Sequence, residues 1–414
     1  MNIKKIFNII VAAGFCLVIF LVPVLTKLEK PMEISIFENR KLAEPPVFDF
    51  EKIFKNKEEN APPWDKALGK YMSSWDVYFA DHIVQRDAFL EFKNMLDINI
   101  IKRPVVNDVV IQKGLLLPFN SYVMYDTADI ENNAKTIGES LAILNELVES
   151  YGGKFIYIGV PEQYSMLREY YPDYLNNNDK LLLLIETSFF SELESRGIDY
   201  VNMRTEFYKI GDYINYYSKT DHHYNLMGAF MTYRVLINKI NGTYKAGLPI
   251  LAESDIEFVE LNNPFYGSRN RKLYNRYELN EKLYYYIQKN PIEFRRENNG
   301  TWVPPYIFKL PEEGDETTPV TYNIYMSGDI AETIIQTKRE NLPNALLFGD
   351  SFTNPFETFL FQSFNETRSL DLRHYDQKTK KTILEYIEEY KPDYVFCMRD
   401  DTAYLSLTGN GDIK

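Results

Sequence analysis

Hydrophobic and polar positions change their period along this chain. It opens on an apolar run: from Ile6 to Leu25 only Asn8 is polar. A helix of that length spans roughly 30 Å, about one hydrocarbon core. Further on, "SSWDVYFADHIVQRDAFLEFKNML" spaces its apolar residues mostly three or four apart, the period of a helix. From about residue 129 two periods alternate. Ile137, Leu141, Leu144 and Val148 form a helical stripe. Gly152 and Gly153 end it, and "KFIYIGVP", closed by Pro161, predicts a buried strand. "LLLLIETSFFSELESRG" predicts a helix, "IDYVNM" a strand and "NLMGAFMTYRVLINKI" a helix. Near the end "ALLFGD", "SLDLR" and "PDYVFCM" read as strands, separated by helical "PFETFLFQSFNE" and "TKKTILEYIEEYK". This alternation predicts an α/β fold with a mostly parallel sheet flanked by helices.

Two stretches break the rhythm. Residues 28 to 65 are rich in proline and charge and read as a tether. The stretch from 243 to about 330 is dense in aromatics and arginine ("KLYNRYELNEKLYYYIQKNPIEFRRENNGTWVPPYIFKL") and lies between two α/β segments. It reads as an insertion or cap, either a carbohydrate-binding face or a small packed subdomain. The predicted organisation is an N-terminal membrane anchor (1–27), a tether and helical region (28–128), the first part of the α/β domain (129–242), the insertion or cap (243–335) and the second part of the α/β domain (336–414).

Charge and cysteine content narrow the compartment and the partners. Of 414 residues, 45% are hydrophobic and 25% charged, ordinary for a chain with a real core. The net charge of −13 argues against nucleic acid as a partner. The two cysteines, Cys16 and Cys397, offer no disulfide framework. Val24-Leu25-Thr26 is a poor cleavage site, so the apolar run reads as an uncleaved transmembrane helix. Lys4 and Lys5 place the short N-terminus inside and the acidic bulk outside.

Candidate chemistry lies in two motifs. In "NALLFGDSFTNP" an apolar strand ends in Gly349-Asp350-Ser351 and a helix follows. That arrangement lifts a hydroxyl out at the carboxyl end of a strand, where α/β sheets place their sites. The N–H groups of the new helix can hold an oxyanion there. Gly349 allows the tight turn. Thr353 stands where a G-x-S-x-G elbow has its second glycine, and no G-K-[ST] follows for a phosphate loop. Asp350 reads as structural, holding the turn.

A serine needs a base, and the base an orienter. The chain has four histidines: His82, His222, His223 and His374. Only "KTDHHYNLMGA" sets histidines beside an aspartate in a polar loop leading into a helix. In an extended segment positions i and i+2 share a side, so Asp221 faces His223 and His222 points away. Ser351, His223 and Asp221 then form a candidate triad. Alternatively Asp221, His222 and His223 hold a metal, although neighbouring histidines in a strand face opposite ways and no second cluster completes a two-metal site.

The paired motifs resemble the alginate O-acetyltransferase-like SGNH hydrolase superfamily and its bacterial DHHW branch. "FENRKLAEPP", "FADHIVQRDAFL", "YIGVPEQ", "DLRHYD" and "KPDYVFCMRDD" resemble it further, across roughly residues 35 to 405. The resemblance implies an SGNH-hydrolase-like fold and an extracytoplasmic O-acetyltransferase. In it, Ser351 would be the nucleophile, His223 the base and Asp221 its orienter. Arg373 and Tyr404 would lie near substrate or oxyanion. Tyr224, where the branch has tryptophan, would change the pocket wall. No cofactor is implied. The implied partners are a polysaccharide acceptor and a membrane-bound O-acyltransferase that supplies acetyl groups. A carbohydrate acetylesterase using the same triad and a non-catalytic glycan-binding or assembly protein are the alternatives.

Overall fold

A computed structural model of the protein describes residues 3–30, 32–38, 40–54, 63–119, 126–175, 179–277, 279–378 and 381–407. The chain forms two compact units, Met1–Val106 with Arg271–Tyr277, and Asn107–Asn270 with Glu278–Lys414.

In the first unit the apolar run forms helix α1 (Ile3–Leu28), in which an 18-residue window within Lys4–Leu28 has a mean hydropathy of 2.8. By length and composition it could cross a membrane, and a signal sequence would meet the same description. The next helical stretch divides into α2 (Trp64–His82) and α3 (Arg86–Met95), because Gln85 between them takes a left-handed conformation at φ +59°. Asp81 holds this region together. It is buried and takes two hydrogen bonds from Arg40, at 2.8 and 2.6 Å, and one from the Ala43 N–H at 2.8 Å. His82 is a packing residue whose Nε2 bonds the Ala43 carbonyl at 2.8 Å.

The second unit is built on an eight-stranded sheet. In chain order its strands are β1 (Lys154–Val160), β2 (Asp199–Asn202), β3 (Arg295–Asn298), β4 (Thr301–Val303), β5 (Glu332–Gln336), β6 (Ala345–Gly349), β7 (Glu366–Asp371) and β8 (Tyr394–Asp400). Their order in space is β4-β3-β5-β7-β6-β8-β1-β2. The five from β7 to β2 run parallel. Every residue of β6 and of β8 is buried, as expected of parallel strands covered on both faces. β3, β4 and β5 add antiparallel strands beyond β7. The aromatic-rich stretch thus contributes to the sheet itself, and it also forms a ribbon in which Ile256–Glu260 pairs with Tyr284–Gln288.

Helices α4 (Thr127–Ser150), α5 (Asp179–Ser195), α6 (Leu226–Tyr244), α7 (Thr353–Leu360) and α8 (Ile383–Tyr390) flank the strands. The predicted stripe of α4 is buried in full, and it packs with Phe189 and Leu193 of α5 and Ile387 of α8. The architecture is a large, mainly parallel sheet with flanking helices, as the alternation of periods predicts. β6 and β8 lie at its middle and deliver Ser351 and Asp400 to the same edge.

Candidate active site

The site begins where β6 stops. Gly349 is paired with Met398 of β8 and Asp371 of β7. A β-carbon at Gly349 would lie 2.2 Å from the Met398 carbonyl oxygen and 2.8 Å from the Thr353 side chain, so close approach demands glycine. Asp350 pins the turn that follows. One carboxylate oxygen accepts the Phe352 N–H at 2.9 Å, and the other accepts the Asp400 N–H at 3.1 Å. Burial, with Asp400 nearby, pushes the Asp350 carboxyl up to about 6. Its role in the turn is structural.

The first N–H groups of the helix are not free for an oxyanion, contrary to the expectation from sequence. Phe352 donates to the Asp350 side chain, Thr353 to the Asp350 carbonyl (3.0 Å) and Asn354 to the Ser351 carbonyl (3.3 Å). The turn spends these donors on itself. Among the described residues, the Ser351 N–H carries no hydrogen bond.

The histidine loop is closed at its base by an antiparallel bridge between Tyr217 and Tyr224. Asn225 then caps α6 by accepting the Gly228 N–H at 3.0 Å. Inside the loop the chain bends, and side-chain acceptors satisfy its backbone. The Ser218 hydroxyl accepts the Asp221 N–H at 3.0 Å. The Glu281 carboxylate accepts the N–H groups of Lys219 (2.6 Å) and Thr220 (2.7 Å) and the hydroxyls of Ser218 and Thr220. Burial raises the Glu281 carboxyl against these four donors.

The loop and the turn meet at His223. Its Nδ1 lies 2.6 Å from Asp221 Oδ1 and its Nε2 lies 2.7 Å from Ser351 Oγ. Asp221 is 2% exposed and also accepts the N–H groups of His223 (3.2 Å) and Ser268 (2.6 Å). Burial alone would raise its carboxyl. The two neighbouring imidazoles and the Ser268 N–H outweigh burial and hold Asp221 well below the usual carboxylate range. An ionised Asp221 only accepts, so Nδ1 carries the proton and Nε2 is left to accept from Ser351.

His222 does not point away. The segment is a bend, so the alternation of a strand does not apply to it. The His222 ring lies 3.6 Å from the His223 ring, centroid to centroid, with its Nδ1 2.8 Å from Ser268 Oγ. Although 42% of its side chain is exposed, desolvation against the packed loop and the adjacent His223 lower its imidazole from the usual range. Asp221, His222 and His223 therefore bring ligand atoms within 4.8 Å of one another. Asp221 Oδ1 and His223 Nδ1 are already spent on each other.

The remaining predicted residues divide: Arg373 lies close enough to act electrostatically on His222 and Asp350, and the two tyrosines are structural. Tyr224 is fully buried, stacks on Phe352 at 5.3 Å and donates to the Phe352 carbonyl at 2.5 Å. It ties the two motifs together rather than lining a pocket wall. Arg373 spends its guanidinium on Asp371 (2.6 Å) and Asp329 (2.9 Å). Tyr404 is not brought to the site. It stacks on Phe189 at 4.7 Å in the hydrophobic core, where an aromatic ring gains most from burial.

Four contributors escaped the sequence reading: Ser268, Arg269, Glu281 and Tyr322. Arg269 is buried and donates to the Asp221 carbonyl (2.6 Å), the Leu116 carbonyl (3.2 Å) and Gln163. The Tyr322 ring lies 3.7 Å from the His223 ring, with 6° between their planes. All four come from the irregular aromatic-rich stretch, where no period marks them.

Comparison with known proteins agrees with this architecture. Residues 119–263 match the family model described as SGNH hydrolase-like domain, acetyltransferase AlgX. That span holds Asp221 and His223, while Ser351 lies beyond it. Among solved structures, Bacillus cereus PatB1 is similar at a TM-score of 0.62 and 24% identity, over 74% of this chain and 99% of that one. Its structure with a sulfonyl adduct gives 0.59 and 22% over the same shares. A DHHW family protein from Eubacterium siraeum gives 0.49 and 18%, over 73% of this chain and 93% of that one. No curated protein sequence matches the chain. The resemblance read from the motifs is borne out, and the fold is SGNH-hydrolase-like.

Proposed function

We propose that this chain is a serine-dependent O-acetyltransferase that acts outside the cytoplasm on a cell-surface or secreted polysaccharide. One observation carries the reading: the continuous hydrogen-bond line from Asp221 through His223 to Ser351, at 2.6 and 2.7 Å. A serine hydroxyl is a poor nucleophile, and an oriented base is typically worth 10²–10⁴-fold. In the proposed first step Ser351 Oγ attacks the acetyl carbonyl of a donor ester while its proton passes to His223 Nε2. The imidazolium then protonates the departing alcohol, leaving acetyl-Ser351. In the second step His223 takes the proton of a sugar hydroxyl, which attacks the acetyl carbon. The bond to Ser351 Oγ breaks and the serine recovers its proton from His223. Asp221, held ionised, balances the imidazolium in both steps. The Ser351 N–H is the backbone donor available to the developing oxyanion.

The acetyltransferase family match supports acetyl transfer, and the polysaccharide acceptor rests on the resemblance alone. The apolar α1 is long enough for a membrane tether, and Lys4 and Lys5 before it favour the rest of the chain outside. A membrane-bound O-acyltransferase that passes acetyl groups to Ser351 is the partner this reading calls for, and it rests on the resemblance alone.

The test is mass spectrometry of the full chain in detergent after exposure to p-nitrophenyl acetate. One acetyl group is expected on the peptide carrying Ser351, absent in Ser351→Ala and in His223→Ala. Added oligosaccharides should remove it and become acetylated. Failure of every activated acetyl ester to leave an adduct would sink the proposal. Release of acetate alone, whatever sugar is offered, would make the chain an esterase.

A further inference from the structure

His223 is held by more than its two hydrogen bonds. A flat imidazole has two faces, and a parallel ring 3.7 Å away covers one of them. Tyr322 does so, with 6° between the planes. The His222 ring, 3.6 Å away, must then lie over the other face. Phe352 meets the ring edge-on at 5.0 Å. The charged or titratable groups nearby are Asp221, His222 and Tyr224 on the same loop, Arg269 behind the Asp221 carbonyl, Arg373 beyond His222, Tyr325 beside Tyr322, and Asp350 beside Ser351. Tyr322 comes from a 3-10 turn (Tyr322–Ile324) that is capped by Thr321. Its hydroxyl is buried and makes no hydrogen bond among the described residues. A buried, idle hydroxyl is destabilising, so the ring rather than the oxygen explains the tyrosine's place.

We infer that Tyr322 is a positioning residue for His223, whose π face fixes the imidazole and favours the imidazolium that forms when Ser351 gives up its proton. The chemistry is that of a cation over an aromatic face within 6 Å of its centroid. The neutral ring gains less from that face than the cation does. The benefit therefore appears in the rate of acyl transfer rather than in substrate binding. This inference rests on the proposal that His223 is the base.

The experiment compares wild type, Tyr322→Phe and Tyr322→Leu as full chains. Tyr322→Phe keeps the ring and should acylate Ser351 at the wild-type rate. Tyr322→Leu should acylate about 10- to 30-fold more slowly, with KM for the ester unchanged. Histidine-selective NMR supplies a readout that needs no turnover, with His223→Ala identifying the resonance. In Tyr322→Leu the His223 ring should take up its proton at a lower pH than in wild type, and in Tyr322→Phe at the same pH. If all three chains protonate His223 alike, the inference is overturned. If Tyr322→Phe loses as much as Tyr322→Leu, the hydroxyl carries the effect and the inference is equally overturned. A wild type that never acylates would refute the Ser351 reading instead, and the NMR comparison would still decide the role of Tyr322.

Discussion

Replacing Asp221 by asparagine keeps the shape of the side chain and removes its charge. The wild-type carboxylate takes three N–H groups and donates nothing: the ring and backbone of His223 on Oδ1, and the backbone of Ser268 on Oδ2. An asparagine must present an NH₂ on one side. Turned toward Ser268, that NH₂ meets a backbone N–H across 2.6 Å. Turned toward His223, it forces the imidazole into the other tautomer, with Nε2 protonated and unable to accept from Ser351. The first arrangement leaves a buried donor unpaired, at about 1–3 kcal/mol. Either one removes the charge opposite the imidazolium. The same exchange in a serine triad costs about 10⁴-fold in kcat, equivalent to about 5.5 kcal/mol of transition-state stabilisation. We therefore expect Asp221→Asn to slow Ser351 acylation by about 10³–10⁴-fold while the protein stays folded. The assay is the p-nitrophenol burst in single-turnover stopped flow, with circular dichroism melting as the control for folding. A folded variant that acylates within about tenfold of wild type would refute the electrostatic reasoning.

Other outcomes follow from the same geometry. His222→Ala should retain most acyl transfer, because His223 keeps both hydrogen bonds; loss equal to that of His223→Ala, together with inhibition by EDTA, would favour a metal site. Gly349→Ala should destabilise the larger unit by about 1–3 kcal/mol or more in denaturant unfolding, since its β-carbon would press on the backbone of β8; a stability equal to wild type would show that the strands yield freely. Melting temperature should peak near pH 4, at the ordinary carboxyl range, and fall on either side. Burial raises Asp350 to about 6 and both Glu357 and Asp401 to about 7. Raised folded values stabilise below the ordinary carboxyl range, and that stability is lost as pH rises through about 6 to 7. Asp81, lowered to about 2 by Arg40, and Asp221 act oppositely and lose their contribution as pH falls below about 4. Stability that climbs steadily from pH 5 to 8 would contradict this assignment.

Periodic elements were legible in the sequence because burial imposes their period. The stripe of α4, the runs of β1, β6 and β8, and the turn at Gly349 all follow from it. The pairing of Asp221 with His223 and Ser351 was legible too, because few residues could perform that chemistry. The direction of His222 was not, since strand alternation fails once Ser218 and Glu281 fold the loop into a bend. Nor was the place of Tyr404, because an aromatic near a motif reads alike whether it lines a pocket or fills a core. Ser268, Glu281 and Tyr322 act through backbone approach, buried hydrogen bonding and ring stacking. None of these leaves a pattern along the chain.

The base and the nucleophile stand 128 residues apart, and the chain between them supplies the clamp on the loop and the roof over the imidazole. Contacts of such sequence separation form late, after local helices and turns. During synthesis, Asp221 and His223 emerge long before Ser351, and β7 and β8 follow it. A partly made chain carries a base with nothing to deprotonate. Reactivity toward esters would therefore switch on abruptly near the end of folding. An acylating probe would report completion of the fold, whereas circular dichroism would already have registered the helices.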